Sequence, residues 1–295
     1  MESHSSRIAG LSELAGRYDG ILCDVWGVLH NGVTAWAGAI EALSKYREQG
    51  GSVVMITNAP RPNGPVLEQL AGLGVPFGDD GGAFDAVVTS GDVTRMLVAE
   101  MSPAVFHVGP QRDLSLYQGL HIDLVGKDDA QTVVCTGLVD DTTETPEDYR
   151  ELLRDLRSRD LPFICANPDI VVERGNELIW CSGALARDYA ALGGKTYIVG
   201  KPHRPIYERA LARLAQVAGR NIDKSRVLAI GDGMPTDVAG ASDFGLDLLY
   251  ISAGIHAADY AGESGSHEEP NPERLANFLH AHQAHPVAWM PRLLW

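Results

Sequence analysis

The chain alternates between short apolar runs and longer segments whose apolar positions recur at helical spacing. Residues 19–24, 52–57 and 86–89 are nearly continuous apolar runs of strand length, bounded by glycine or polar residues. Between them, residues 38–50 and 65–73 carry apolar side chains three and four positions apart. Ala39, Ile40, Leu43 and Tyr46 fall on one face of the first segment. Strands that are apolar throughout and separated by helices predict a parallel sheet with both faces covered, because each crossover lays a helix on the sheet.

The same alternation resumes late in the chain. A strand is expected over 196–199, a helix over 205–217, a strand over 227–230, a helix over 236–244 and a strand over 248–251. The segment between has a pattern of its own, with strands at 105–108, 132–134 and 163–166 and a helix over 147–159. The expectation is an α/β protein with a doubly wound parallel-sheet core, Rossmann-like, built from residues 1–89 and 186–295. A smaller α/β domain, residues 90–185, is inserted into it. Residues 261–272, with their Gly, Ser, Glu and Pro, read as a surface loop. Residues 289–295 are unusually apolar for a terminus, which predicts docking on the core or a subunit contact in a homo-oligomer.

Composition narrows the classes without naming one. A chain of 295 residues that is 45% hydrophobic and 21% charged can bury a substantial core. A formal net charge of −15 argues against a nucleic-acid partner, since polyanion binding rests on clustered positive charge. No apolar run is long enough to span a bilayer, and the first seven residues lack the apolar core of a secretory signal. The cysteines, Cys23, Cys135, Cys165 and Cys181, lack paired metal-ligand spacing, and the first three sit in apolar runs as small core hydrophobes. A cytoplasmic protein without a membrane partner is expected.

The chemistry-bearing residues lie at the ends of expected strands. They are Asp24; Thr57 and Asn58; Lys201 after Gly200; and Asp232 with Thr236 and Asp237. In a doubly wound sheet the carboxyl ends of the strands form one rim where ligands bind, so these distant residues are expected to converge. Their types suit phosphoryl transfer. A carboxylate can attack phosphorus while a second one helps to hold Mg²⁺, and a lysine with a hydroxyl can orient the phosphoryl oxygens. Thr236 and Asp237 could instead simply begin a helix. That leaves Asp24 and Lys201 without a reason.

These motifs resemble the haloacid dehalogenase (HAD) superfamily of hydrolases, and among them the NagD-like subclass IIA phosphatases, whose large cap is inserted between the second and third motifs. Asp24-Val25-Trp26-Gly27-Val28-Leu29 is similar to the first motif and Ile56-Thr57-Asn58 to the second. Val199-Gly200-Lys201-Pro202 is similar to the third, and Ile230-Gly231-Asp232 with Thr236-Asp237 to the fourth. Thr89-Ser90-Gly91 and Ala166-Asn167-Pro168-Asp169 resemble the entry to the cap and its inner turn. The resemblance implies a phosphatase acting on a small phosphorylated metabolite. Asp24 would be the nucleophile that forms an aspartyl-phosphate, and Thr57, the Asn58 backbone and Lys201 would bind the phosphoryl group. Mg²⁺ would be held by Asp24, Asp232 and the backbone carbonyl of Trp26, with Asp237 in support.

The departure from the family pattern is Trp26. Most phosphatases of this superfamily carry a second aspartate at this position as general acid and base, worth about 10²–10⁴-fold in rate. An indole can do neither. Three readings follow: a phosphatase for good leaving groups or with an acid from elsewhere, His30 and His203 being candidates; a dehalogenase-like hydrolase, whose leaving halide needs no proton; or a weak or non-catalytic binder of phosphorylated ligands. Asn167 and Asp169, with Glu173 and Arg174, are candidate substrate contacts in the inserted domain. The run Asp140, Asp141 and Glu144 reads as surface charge, and His280, His282 and His285 as an exposed tail rather than a metal site.

Overall fold

The computed structural model describes residues 5–78, 81–175, 177–262 and 268–295. Two compact units emerge, one of residues 1–56, 67–88 and 207–295 and the other of residues 57–66 and 89–206.

The first unit is built on a seven-stranded sheet. Its strands are β1 (Ser6–Arg7), β2 (Gly20–Asp24), β3 (Ser52–Thr57), β4 (Ala86–Thr89), β12 (Val227–Gly231), β13 (Asp247–Ile251) and β14 (Ala288–Met290). They lie in the order β1-β14-β13-β12-β2-β3-β4. β2 pairs in parallel with β12 on one side and β3 on the other, with Ile230 opposite Cys23 and Asp24 opposite Ile56. Every residue of β2 and β12 is buried, as expected of central strands covered on both faces. The helix Ala37–Glu48 buries Ala39, Ala42, Leu43 and Tyr46, while Ile40, expected on that face, is only half-buried. The doubly wound parallel α/β architecture read from the sequence is the observed one.

The apolar C-terminal stretch does dock, and it does so as a strand. β14 enters the sheet between β13 and β1, and Leu293 beyond it is buried. Leu11 N–H donates to the Leu294 carbonyl at 2.8 Å, closing the N-terminal segment over the tail. His280, His282 and His285 lie exposed at and beyond the end of the helix Pro272–Ala281 and belong to no metal-binding group among the described residues. Of the expected loop 261–272, residues 263–267 lie outside the described residues. Ala261 and Pro270 form an antiparallel bridge across it.

The second unit has a parallel five-stranded sheet of β5 (Ala104–Val108), β6 (Asp123–Leu124), β7 (Thr132–Cys135), β8 (Phe163–Cys165) and β11 (Thr196–Ile198). Their order is β11-β8-β7-β5-β6. A separate antiparallel hairpin joins β9 (Val171–Arg174) to β10 (Glu177–Trp180). One apolar cluster gathers Leu153, Leu156, Phe163, Leu185 and Tyr189, and another gathers Val105, Leu116 and Ile164. All four cysteines are free and buried, as core residues.

The structure differs from the sequence reading at one consequential place. The run over 196–199 was expected to resume the core sheet, but β11 pairs with β8, Thr196 opposite Phe163. The second unit therefore runs on past residue 185, to Ile206. The chemistry-bearing strand ends consequently belong to two sheets. Asp24 and Thr57 end strands of the seven-stranded sheet and Asp232 follows another, whereas Lys201 follows a strand of the five-stranded one. A three-residue apolar run says that a strand forms; which sheet it joins depends on a partner far away in sequence.

Candidate active site

In the first unit, three carboxylates meet. Asp24 closes β2, Asp232 follows β12, and Asp237 lies in the π-helical turn Met234–Val238 that leads into the helix Ala239–Phe244. One oxygen from each lies within 4.8 Å of the others, and the three residues are 6%, 5% and 4% exposed. Backbone N–H groups orient them. Val25 donates to Asp24 Oδ1 at 2.7 Å, Ile255 to Asp232 Oδ2 at 2.8 Å and Gly233 to Asp237 Oδ2 at 3.1 Å. Grouping buried carboxylates is costly without a neutralising charge, and hard oxygen donors at this spacing suit a divalent cation such as Mg²⁺ or Ca²⁺. The residues present fit such an ion.

Glycines make the cluster possible. A Cβ on Gly27 or on Gly254 would stand 2.0 Å from Asp232 Oδ2, and one on Gly231 would stand 2.3 Å from Asp237 Cγ. Gly27 also has φ +78°, where side chains are disfavoured. The segment around Gly254 was not read from the sequence as part of the site. Besides the Ile255 N–H, it supplies His256, whose Nε2 accepts from Met234 N–H at 3.2 Å and whose Nδ1 lies 3.1 Å from Asp259 Oδ2. His256 thus steadies the turn between Asp232 and Asp237. The legible signal was the polar and glycine residues just after the β13 run, another strand end of the same sheet. Gly254→Ala is expected to keep the fold and to weaken divalent-cation affinity at least about tenfold, because ligand orientation carries that much. Titration of Mg²⁺ by calorimetry measures it, and an unchanged affinity would show that Asp232 can be placed without the glycine.

Trp26 is half-buried, with its ring edge-on to His30 at 5.0 Å between centroids. His30 is buried, and its Nδ1 accepts from Gly32 N–H at 2.9 Å. Burial pushes the imidazole from its ordinary value of 6.5 down to about 4. It is therefore neutral at physiological pH and serves the loop rather than a proton transfer. The unfolded chain binds the His30 proton more tightly than the folded one, so this residue favours folding fully above pH 6.5 and progressively less as pH falls towards 4. The loss is about 3 kcal/mol. Urea unfolding between pH 7 and pH 4 should show a shallower decline in His30→Gln than in wild type. Parallel curves would assign the acid sensitivity elsewhere.

The second unit arranges the remaining candidates around Asn58. This buried side chain donates from Nδ2 to Asp169 Oδ1 at 2.8 Å and to the Lys201 carbonyl at 3.2 Å, and its Oδ1 accepts from Lys201 N–H at 2.7 Å. Lys201 is 2% exposed, and Gly200 before it has no room for a Cβ, which would lie 2.5 Å from Asn58 Oδ1. Asn58 therefore fixes the backbone of Lys201 through its amide, a role beyond the backbone contact read from the sequence. The Thr57 hydroxyl is buried and accepts from Ala59 N–H at 3.3 Å. Asn167 and Asp169 form the expected turn, with Asn167 Oδ1 accepting from Asp169 N–H at 3.1 Å. Ser182 pins it by bonding both the N–H and the carbonyl of Asn167. Glu173 is exposed, Arg174 pairs with Asp141, and His203 is exposed.

Residues 21–123 match the family described as haloacid dehalogenase-like hydrolase, and residues 198–281 match a second, HAD-hydrolase-like family. The crystal structure of a haloacid dehalogenase-like hydrolase from Brucella suis 1330 is 55% identical, with a TM-score of 0.85, over 97% of this chain and 99% of that one. D-glycerol 3-phosphate phosphatase of Mycobacterium tuberculosis is 26% identical over 84% of this chain and 67% of its own length. The ribonucleotide monophosphatase NagD of Escherichia coli K12 is 25% identical over 81% of this chain and 89% of its own. With a relative alike over nearly its whole length, and with the strand-end carboxylates in place, the chain belongs to the haloacid dehalogenase-like family of hydrolases.

Proposed function

We propose that this hydrolase is a Mg²⁺-dependent phosphatase acting on small phosphorylated metabolites through an aspartyl-phosphate on Asp24. The observation that carries the reading is the trio of buried carboxylates, Asp24, Asp232 and Asp237, with their oxygens within 4.8 Å. Similarity to relatives named as glycerol-phosphate, nucleotide and sugar phosphatases supports the substrate class.

Asp24 attacks phosphorus through a carboxylate oxygen, the P–O bond to the leaving group breaks, and its electron pair departs with the ester oxygen. Water then attacks phosphorus and releases phosphate, regenerating the carboxylate. Lys201 and the Thr57 hydroxyl hold phosphoryl oxygens, and Asn58 keeps Lys201 in place. Asp24, Asp232 and the Trp26 carbonyl would hold Mg²⁺, supported by Asp237. The ion supplies positive charge that offsets repulsion between the phosphate and its nucleophile.

The indole at position 26 is too weak an acid to protonate a leaving oxygen, and burial leaves His30 without an imidazolium proton to give at neutral pH. On this reading the leaving oxygen departs largely unprotonated, so substrates with acidic leaving groups are favoured over alkyl esters. Phosphate release from a panel of aryl, acyl and alkyl phosphates, with and without Mg²⁺, tests the reading. Turnover of aryl or acyl esters that vanishes with a chelator is expected. No phosphate release from any ester, by wild type or Trp26→Asp, would sink it, and halide release from haloacids would favour a dehalogenase.

A further inference from the structure

Lys201 lies beyond β11, which ends at Ile198, and so falls outside that strand's paired register. The Asn58 side chain takes over there, with Oδ1 accepting from the Lys201 N–H and Nδ2 donating to the Lys201 carbonyl. An amide can make this pair of bonds in only one orientation. Its two ends are alike in size, but Nδ2 only donates and Oδ1 only accepts. Turned over, Asn58 would set an N–H against the Lys201 N–H and an oxygen against the Lys201 carbonyl. Both bonds would be lost in a buried place, where unpaired polar groups are costly.

Asp169 decides between the two orientations. Its Oδ1 lies 2.8 Å from Asn58 Nδ2. An ionised carboxylate can only accept, so it attracts the NH₂ end of the amide and repels the oxygen end. The bond is charge-assisted, which makes it stronger than one between neutral groups.

The turn that carries Asp169 is itself held on several sides. The Asp169 N–H donates to Asn167 Oδ1, and the Asp169 carbonyl accepts from Gly183 N–H at 3.2 Å. Gly183 belongs to the first turn of the helix Ser182–Ala191, whose Ser182 bonds Asn167. A Cβ on Gly183 would stand 2.2 Å from the Pro168 carbonyl oxygen and 2.4 Å from that of Asp169. On the opposite side, a Cβ on Gly200 would stand 2.8 Å from the Pro168 ring. The turn is therefore packed between a helix start and the residue before Lys201, as a fixed support would be.

We propose that Asp169 is a positioning residue for Lys201: by fixing the orientation of the Asn58 amide, it sets the backbone from which the lysine side chain extends. The inference rests on the phosphatase reading, in which Lys201 holds phosphoryl oxygens. It also distinguishes two roles for Asp169. A side chain that touches the alcohol part of a substrate favours some esters over others. One that places Lys201 acts on the phosphoryl group, which every ester shares.

Three variants test it: Asp169→Leu removes the acceptor, Asp169→Asn keeps an oxygen for Asn58 Nδ2, and Asn58→Ala removes the bridge. Asp169→Leu is expected to lower kcat/KM about 10- to 100-fold, the cost of a lost charge-assisted bond. The loss should be equal for p-nitrophenyl phosphate and glycerol 3-phosphate, and the Ki of inorganic phosphate should rise by a similar factor. Asp169→Asn should recover most of it. In the Asn58→Ala background, Asp169→Leu should cost less than about twofold, because the path is already cut. Poor folding lowers the active fraction but leaves the Ki of inorganic phosphate alone, so the Ki reads Lys201. A loss confined to one ester with an unchanged Ki overturns the proposal and makes Asp169 a substrate contact. A full effect in the Asn58→Ala background, or Asp169→Asn as impaired as Asp169→Leu, also overturns it. Hydrogen exchange at the Lys201 amide, followed by NMR, separates the inference from the reading beneath it. Asp169→Leu should speed that exchange at least about tenfold, and Asp169→Asn much less. Unchanged exchange in an enzyme that releases phosphate overturns the proposal and leaves the phosphatase reading standing. If wild type releases phosphate from neither ester, the phosphatase reading fails and this inference falls with it.

Discussion

Asp24→Asn is expected to abolish phosphate release, lowering kcat by at least about 10⁴-fold, because an amide cannot displace the ester oxygen to form an acyl phosphate. The fold should survive. Asparagine can accept the Val25 N–H that now reaches Asp24 Oδ1 at 2.7 Å, and one fewer negative charge remains among three crowded carboxylates. A second readout separates chemistry from metal binding. Mg²⁺ at about a hundredfold above its Kd should stabilise wild type against unfolding by about 2.7 kcal/mol. The same addition should stabilise Asp24→Asn much less, since a charged ligand has become neutral. Mg²⁺-dependent hydrolysis that persists in this variant would remove Asp24 as the nucleophile. An undiminished Mg²⁺ effect on the unfolding midpoint would remove it from the metal site.

Much of this architecture is written locally, and the exceptions have physical causes. Ser52–Thr57 and Ala86–Thr89 coincide with the expected strands because a buried parallel strand is apolar along its whole length and needs no partner to be recognised. β1, β6 and the hairpin of β9 and β10 went unread; they are short and largely exposed or half-buried, and the apolar triplets at 170–172 and 178–180 are too brief and too close to charged residues to stand out as strands. β14 was anticipated only as an apolar tail, because its place between β13 and β1 is a pairing of the chain's two ends. The three carboxylates could be read from strand ends since topology alone brings them to one rim. Lys201 could be found by its motif but not assigned to its sheet, which depends on the pairing of Thr196 with Phe163. The Asn58 amide bridge was invisible for the same reason, and the glycine and polar residues after β13 could mark the Gly254 segment as a strand end without showing its contacts to Asp232 and Met234. Each is a contact between distant segments, and a single sequence has no signal for it.

Trp26→Asp is expected to accelerate hydrolysis of alkyl phosphates by about 10²–10⁴-fold, while changing aryl phosphates with acidic leaving groups far less. The loop can take the change because its main chain holds it. Leu29 and His30 N–H both donate to the Val25 carbonyl, and Gly27 N–H donates to the His30 carbonyl at 3.0 Å. The indole adds an edge contact with His30 and half-buried apolar area, whose loss costs about 1–2 kcal/mol. A new carboxyl two residues from Asp24 enters a neighbourhood already dense in negative charge. Repulsion raises its pKa and keeps its proton on near neutrality, the state a general acid needs. The clearest measurement is kcat/KM across a series of phosphates graded by leaving-group pKa. Wild type should fall steeply along the series, because charge builds up on an unprotonated leaving oxygen, and the variant should flatten it. Equal slopes in the two proteins would mean that wild type already protonates its leaving group from another residue. Trp26 would then be a determinant of substrate shape rather than of proton transfer.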